Sequence, residues 1–297
     1  MHNNDDQMKQ QARIDNLKNI RHKIVVMSGK GGVGKSTVSV NLAYALLMKG
    51  NRVGIIDADF HGPSIAKMTG IENLEFMADS VSGRPLPIQA MENLHILSIA
   101  SLLKDKDDAV IWRGPMKMGV IKQFFEDFQW PELDYLIVDC PPGTGDEPLS
   151  IIQTIGSVSG CVIVSTPQDV AFLDARKTIS FANKLNVPII GIIENMSGFI
   201  CPKCGEKIDI FKTGGAEKAA ADFGLDILGK IPLDGDIVHS GDDGKPYVYH
   251  NQDSAKGKLF IDIADKISES VMSNEKCGCN HEDGQSCCSN GGECGCK

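Results

Sequence analysis

No apolar run in this 297-residue chain approaches the roughly 18 uninterrupted residues that a membrane-spanning helix needs. The stretch from Met1 to Arg13 is polar and lacks the apolar core of a secretory signal, so the expected location is the cytoplasm. An excess of basic charge is missing too. The net charge of −9 argues against a broad electrostatic grip on nucleic acid or an anionic membrane, and neither is expected as a partner. There is no internal repeat, and no cysteine precedes Cys140. The chain is too long for a small disulfide-stapled fold. In a reducing compartment its ten cysteines point instead to metal binding or redox work.

What is present reads as a globular α/β protein. Hydrophobic residues at 42% over this length can bury a core as one large domain or two modest ones. Short β-branched runs alternate with longer helical patterns. Strands are expected at Lys23–Met27, Arg52–Ile56, Tyr135–Val138, Cys161–Val164 and Pro188–Ile193, with the apolar continuity of strands buried on both faces. Helices are expected from about Lys35 to Lys49 and over Val170–Leu185, Ala216–Phe223 and Ala255–Val271. This alternation predicts a doubly wound, mostly parallel sheet with right-handed crossovers. Residues 5–20 read as a helical or loose extension. After Met272 the chain is Cys, Gly, Asn, Ser and acidic residues, too poor in apolar surface to offset its ordering entropy, so an unliganded tail is expected to be flexible.

Gly29-Lys30-Gly31-Gly32-Val33-Gly34-Lys35-Ser36 fits GxxxxGK[ST] between an expected strand and an expected helix, with Thr37 following. Backbone N–H groups of such a turn wrap phosphate oxygens, and the helix N-terminus adds partial positive charge. Lys35 is expected to reach the β- and γ-phosphates, and Ser36 to ligate Mg²⁺. Gly29, Gly31 and Gly34 also fit the dinucleotide pattern GxGxxG, with Asp57 placed as its ribose acid. Lys35 and Ser36 have no role in that fingerprint, however. Asp139 closes the apolar run Leu136-Ile137-Val138 as a Walker B acid, and Pro141-Pro142-Gly143-Thr144-Gly145-Asp146 supplies a loop where a γ-phosphate sensor belongs. The expected fold is therefore a P-loop NTPase, with residues 1–21 as an extension, 22–272 as the ATPase domain and 273–297 as the Cys-rich tail. Lys30 is a second lysine in the loop. Its position is open between a solvated loop lysine and a cation that stabilises transition-state charge.

SGKGGVGKST resembles the deviant Walker A motif of the MinD/ParA/nitrogenase-iron-protein class of ATPases. The resemblance implies that Lys30 crosses a nucleotide-sandwich dimer to the partner's nucleotide. It also implies that Asp59, in Asp57-Ala58-Asp59, positions the attacking water and that Asp57 lies near the Mg²⁺ shell. Five further runs resemble the Mrp/ApbC/Nbp group of iron–sulfur cluster scaffolds and carriers over residues 22–270: Asp59-Phe60-His61-Gly62-Pro63-Ser64, Trp112-Arg113-Gly114-Pro115-Met116, Asp139-Cys140-Pro141-Pro142-Gly143-Thr144-Gly145-Asp146, Glu194-Asn195-Met196-Ser197 and Cys201-Pro202-Lys203-Cys204-Gly205. By the same resemblance Asn195 contacts the adenine, favouring ATP. Nbp-type members carry a cysteine cluster near the N-terminus, which is absent here from that place, and the C-terminal cysteines depart from the basic Mrp pattern.

Cys201 and Cys204 supply two thiolates, whereas structural zinc and a [4Fe–4S] cluster each want four ligands. Two copies across a symmetric dimer axis complete the set. The spacing also fits half of a zinc ribbon, although no second half appears before Cys277; a redox CxxC lacks a thioredoxin-like context. In the tail, Cys277, Cys279, Cys287, Cys288, Cys294 and Cys296, with His281 nearby, are close enough for soft-metal chelation. Cys140 and Cys161 are expected to be inert core thiols, and His61 and His95 loop or packing residues. The expected function is a homodimeric, slowly hydrolysing ATPase that uses ATP and Mg²⁺, holds a [4Fe–4S] cluster between two protomers and passes it to apo iron–sulfur proteins. The alternatives are a ParA/MinD-type positioning ATPase with a structural zinc clamp, and an electron-transfer reductase.

Overall fold

The computed structural model describes residues 11, 14–102, 114–201, 203–211 and 214–276. Trp112, Arg113, Pro202 and the tail cysteines from Cys277 to Cys296 lie outside them. Among the described residues the strands are β1 (Ile20–Met27), β2 (Val53–Asp57), β3 (Ile88–Met91), β4 (Leu94–Ser98), β5 (Leu133–Asp139), β6 (Gly160–Ser165), β7 (Ile189–Ile200), β8 (Lys207–Ile208) and β9 (Ile227–Leu233). The helices are α1 (residues 14–18), α2 (Lys35–Met48), α3 (Ile65–Met68), α4 (Gly114–Glu126), α5 (Asp146–Ile155), α6 (Asp169–Lys184), α7 (Gly215–Phe223), α8 (Gly235–Asp242), α9 (Tyr247–His250) and α10 (Ala255–Lys276). The strands form one sheet in the order β3-β4-β2-β5-β1-β6-β7-β8, with β9 also paired to β7. Only the β3–β4 and β7–β8 pairs are antiparallel. This is the doubly wound, mostly parallel α/β fold that the alternation predicts.

Alternation along β1 shows why both faces need cover. Ile24 and Val26 join Leu42, Leu46, Phe260 and Ile263 of α2 and α10 on one face. Val25 and Met27 meet Phe124, Phe125, Ile151 and Ile155 of α4 and α5 on the other. Helices α6 and α7 cover Ile163 and Ile192 on that second face. Helix α2 contains Val38 and Val40, whose intrinsic helix preference is poorer than that of alanine by under about 0.7 kcal/mol each. Burying each valine gains roughly 1.5–3 kcal/mol, so packing decides the local structure.

Several boundaries differ from those read in the sequence. Strand β1 begins at Ile20, and Asn16 is buried with its Nδ2 donating to the carbonyls of Phe125 and Phe128, both at 2.7 Å. Residues 14–21 thus belong to the domain, because this amide satisfies carbonyls around the end of α4. Strand β7 continues past Ile193 to Ile200, since β9 and β8 still pair with it there. Helix α10 runs past Met272 to Lys276. None of the described helices is long and apolar enough to cross a membrane.

Candidate functional site

The C-terminal ends of the parallel strands meet at one rim, where ligands of open α/β sheets bind. Asp57 ends β2, Asp139 ends β5, and the two residues are register partners. The glycine-rich loop leaves β1 at the same rim and turns into α2 through Gly34, which has φ +81°. A Cβ on Gly34 would lie 2.1 Å from Asn195 Nδ2, and one on Gly29 would lie 2.4 Å from the Asp174 backbone. Both positions therefore exclude larger residues. The first turn of α2 carries no acidic side chain, leaving its positive end uncompensated for an anion. Above it lies a cleft of about 390 Å³ lined by residues 30–37, Asp59, His61 and Pro142, within the usual size range of small-molecule sites.

Lys35 is 5% exposed and its Nζ lies 2.8 Å from Asp139 Oδ2 and 3.8 Å from Asp59 Oδ2. One carboxylate oxygen of Asp139 takes at most part of the three N–H donors of the ammonium, so others remain for a ligand. Desolvation opposes its charge, but attraction to Asp139 and then Asp59 outweighs burial and raises its pKa. Ser36 Oγ donates to Asp139 Oδ2 at 2.6 Å and Ser39 Oγ to Asp139 Oδ1 at 2.7 Å. Asp57 accepts from Ser98 Oγ at 2.9 Å and from the Ile65 N–H at 3.1 Å. Burial, followed by the Asp139 charge, pushes the Asp57 carboxyl up to about 7. Two fully buried carboxylates against one ammonium leave this cluster short of positive charge. A hydroxyl and two carboxyls are also the hard oxygen donors that suit Mg²⁺. Ser36, Asp57 and Asp139 thus fit that ion.

Three elements flank the cleft. Lys30 Nζ donates to Gln168 Oε1 of its own chain at 3.1 Å. Asp59 accepts from the His61 N–H at 3.2 Å. The loop after β5 is tied to the phosphate loop by Gly143 N–H donating to Ser28 O at 2.8 Å. Asn195 sits behind the loop rather than in the cleft: its Nδ2 donates to Val33 O at 2.8 Å. The amide is thus engaged with the backbone of the phosphate loop.

Strand β7 carries the chain from Asn195 directly to Cys201. There the Cys201 N–H donates to Glu206 O at 2.9 Å and the Gly205 N–H to Cys201 O at 2.8 Å, closing a tight turn with Cys204 exposed. Backbone N–H groups of Cys204 and then Lys203 face the Cys201 sulfur and lower its pKa, favouring the thiolate that binds soft metals. Among the described residues no cluster of three or more His, Cys, Asp or Glu could hold a metal ion, so this turn offers two ligands. Cys140 and Cys161 are fully buried, and burial pushes the Cys161 thiol up to about 12 and Cys140 higher still.

The family model described as NUBPL iron-transfer P-loop NTPase matches residues 19–268. The chain belongs to that family. This NUBPL-type NTPase is 50% identical over 264 residues to the iron–sulfur cluster carrier protein of Methanocaldococcus jannaschii, covering 89% of this chain and 90% of the relative. It is 47% identical over 259 residues to the carrier protein of Saccharolobus solfataricus, with 87% of each chain covered. Among solved structures, the nucleotide-binding protein of Archaeoglobus fulgidus, in complex with ADP, superposes with a TM-score of 0.70 at 37% identity, over 80% of this chain and 91% of that one. The cell division ATPase MinD of Pyrococcus furiosus gives 0.62 at 22% identity, over 84% and 98%, a likeness of fold. The chain is thus a nucleotide-binding P-loop NTPase.

Sequence reasoning missed several residues of this NUBPL-type site. Ser39 lies one helical turn after Lys35, a spacing that could have flagged it. Ser98 ends β4, a strand the apolar pattern did not reveal. Gln168, Lys117 and Glu147 carry no motif signal by themselves. Buried Lys117 contacts His61 Nε2 at 2.8 Å and forms an ion pair with Glu147.

Proposed function

We propose that this chain is a homodimeric, ATP-dependent iron–sulfur cluster carrier of the cytoplasm, binding a [4Fe–4S] cluster between the Cys201/Cys204 pairs of two protomers. The observation that carries this reading is the exposed turn with two thiolate donors and no third ligand among the described residues. It sits at the end of the strand that also holds Asn195 against the phosphate loop. An isologous dimer presents the turn twice and supplies four sulfurs. Ile200, Ile208 and Ile210, each 43–56% exposed around the turn, are apolar surface for such an interface. The carrier names of the relatives support the same cargo.

ATP would lie in the cleft with its phosphates against residues 29–37, Lys35 donating to the β- and γ-phosphates. Ser36, Asp57 and Asp139 would hold Mg²⁺, whose chemistry is neutralisation of phosphate charge. Asp59 would orient a water whose oxygen attacks the γ-phosphorus as the bond to the β–γ bridging oxygen breaks, leaving ADP and phosphate. Lys30 would leave Gln168 and cross to the partner's nucleotide, where its charge is worth most in the transition state. Asn195 would exchange Val33 for the adenine. Delivery to an apo iron–sulfur protein is ligand exchange, recipient thiolates replacing Cys201 and Cys204 with no net redox change. Hydrolysis is slow, because Lys30 is engaged within its own chain until the dimer forms.

Anaerobic reconstitution with iron and sulfide tests this reading on the wild type, Cys201→Ala/Cys204→Ala and a chain ended at Lys276. About four iron and four sulfide per dimer are expected, lost in the double variant and kept on truncation. Zinc alone at the turn, with no sulfide uptake by any variant, would leave an NTPase with a structural metal clamp.

A further inference from the structure

Lys117 lies on α4 and is only 6% exposed. A buried ammonium is costly unless its protons find acceptors, and those it finds are informative. Its Nζ donates to His61 Nε2 at 2.8 Å, pairs with the Glu147 carboxylate, and lies 6.0 Å from the Phe60 ring centroid. His61 follows Asp59 closely, and its N–H donates to Asp59 Oδ1 at 3.2 Å. Glu147 lies in the first turn of α5, directly after the loop that ends at Gly145 and Asp146. His61 and Glu147 themselves come within 3.6 Å.

We propose that Lys117 is a positioning residue for ATP hydrolysis: it fastens the Asp59 loop to the Gly143–Asp146 loop, holding fixed the spacing of the two segments that face the γ-phosphate. The inference rests on the reading that the chain hydrolyses ATP. Helix α4 does not need this contact for its own packing, since Ile121, Phe124 and Phe125 already anchor it in the core. The ammonium instead passes over the Phe60 ring at the edge of that core to His61, after β2, and to Glu147, in the first turn of α5 after β5. A lysine ammonium only donates, so in this contact His61 Nε2 is the acceptor. Removing Lys117 leaves His61 without this tether and Glu147 without its cation. Asp59 then loses the fixed loop that aims it, while the phosphate-gripping residues 29–37 are untouched.

The experiment measures steady-state ATP hydrolysis, affinity for a fluorescent ATP analogue and thermal stability for wild type, Lys117→Met, Glu147→Gln and Lys117→Met/Glu147→Gln. The expected result is a roughly ten- to hundredfold fall in kcat, with nucleotide affinity within about twofold of wild type and an equal loss in both single variants and the double one, because the residues act as a unit. Glu147→Gln keeps the test decisive if Lys117→Met does not fold. An unchanged kcat in a folded variant overturns the proposal, as does a loss of nucleotide affinity that matches the loss of turnover. Wild-type protein that binds nucleotide without turning it over overturns the hydrolytic reading itself, a distinct result.

Discussion

The side-chain amide of Asn195 donates to the carbonyl of Val33, the residue just before Gly34 at the start of α2. The strand that holds Asn195 there ends at Ile200, next to Cys201. We expect a nucleotide-driven shift of the phosphate loop to reach the base of the CxxC turn through this strand, in which Met196 and Gly198 stand at positive φ. Asn195→Ala is expected to weaken nucleotide binding roughly three- to tenfold, the worth of one buried neutral hydrogen bond, and to abolish any effect of ATP on cluster release. Titration with nucleotide, and loss of the cluster's visible absorbance with and without ATP, check both parts. Cluster release that still responds to ATP in the variant would disconnect the two sites.

Asp57 and Asp139 are register partners with opposite mutational signs. Asp139 pairs with buried Lys35 and accepts from two serine hydroxyls, so Asp139→Asn strands an ammonium and is expected to cost about 3–5 kcal/mol in denaturant unfolding. Asp57 pairs with no cation so closely, and burial, followed by the Asp139 charge, disfavours its ionised form. Asp57→Asn is expected to raise the apo Tm by about 2–4 °C while weakening Mg²⁺-dependent nucleotide binding, a trade of function for stability. A lower Tm for Asp57→Asn would refute this account of the pair.

Gly34→Ala places a methyl into the Asn195 amide and demands a left-handed backbone of an L residue. The expected cost is at least about 1–2 kcal/mol, with nucleotide binding lost in the same variant. Thermal melts and the fluorescent-nucleotide titration measure the two effects, and a variant that keeps wild-type affinity would mean that the loop tolerates a different path.

Alkylation of the apo protein separates the thiols. Backbone N–H groups lower the Cys201 pKa, so between its folded value and the ordinary thiol value the thiolate is already formed in the folded chain and not in the unfolded one. Iodoacetamide at neutral pH is expected to modify Cys201 faster in the folded protein than in urea, with the advantage vanishing as pH rises past the ordinary thiol pKa. Cys140 and Cys161 should show the reverse, reacting only on unfolding, because burial raises both. Peptide mapping by mass spectrometry reads each site, and faster modification of Cys140 than Cys201 in the folded chain would contradict the geometry.

Five strands and four helices were legible because their patterns are local. Ile24–Met27 of the strand Lys23–Met27 and Leu136–Val138 are continuous apolar runs, and Gly34, Lys35 and Ser36 carry their chemistry in consecutive residues. Strand β4 was not legible. His95 interrupts its apolar run, and its identity depends on parallel pairing with β2, from Val53–Leu94 to Asp57–Ser98. The end of β7 was hidden for the same reason: Glu194 to Ser197 looks like a loop until β9 pairs with it.

Sequence by itself determined the phosphate loop, the acids at the ends of β2 and β5, and the CxxC pair, because each rests on the chemistry of neighbouring residues at fixed spacing. Tertiary structure alone decided which distant groups meet. It brought Asp57 into register with Asp139, set Asn195 against Val33, led Lys30 to Gln168 and buried Lys117 between His61 and Glu147. These partners are separated by tens to more than a hundred residues along the chain. Their contacts follow from strand order and helix packing, to which no local pattern of residues is sensitive.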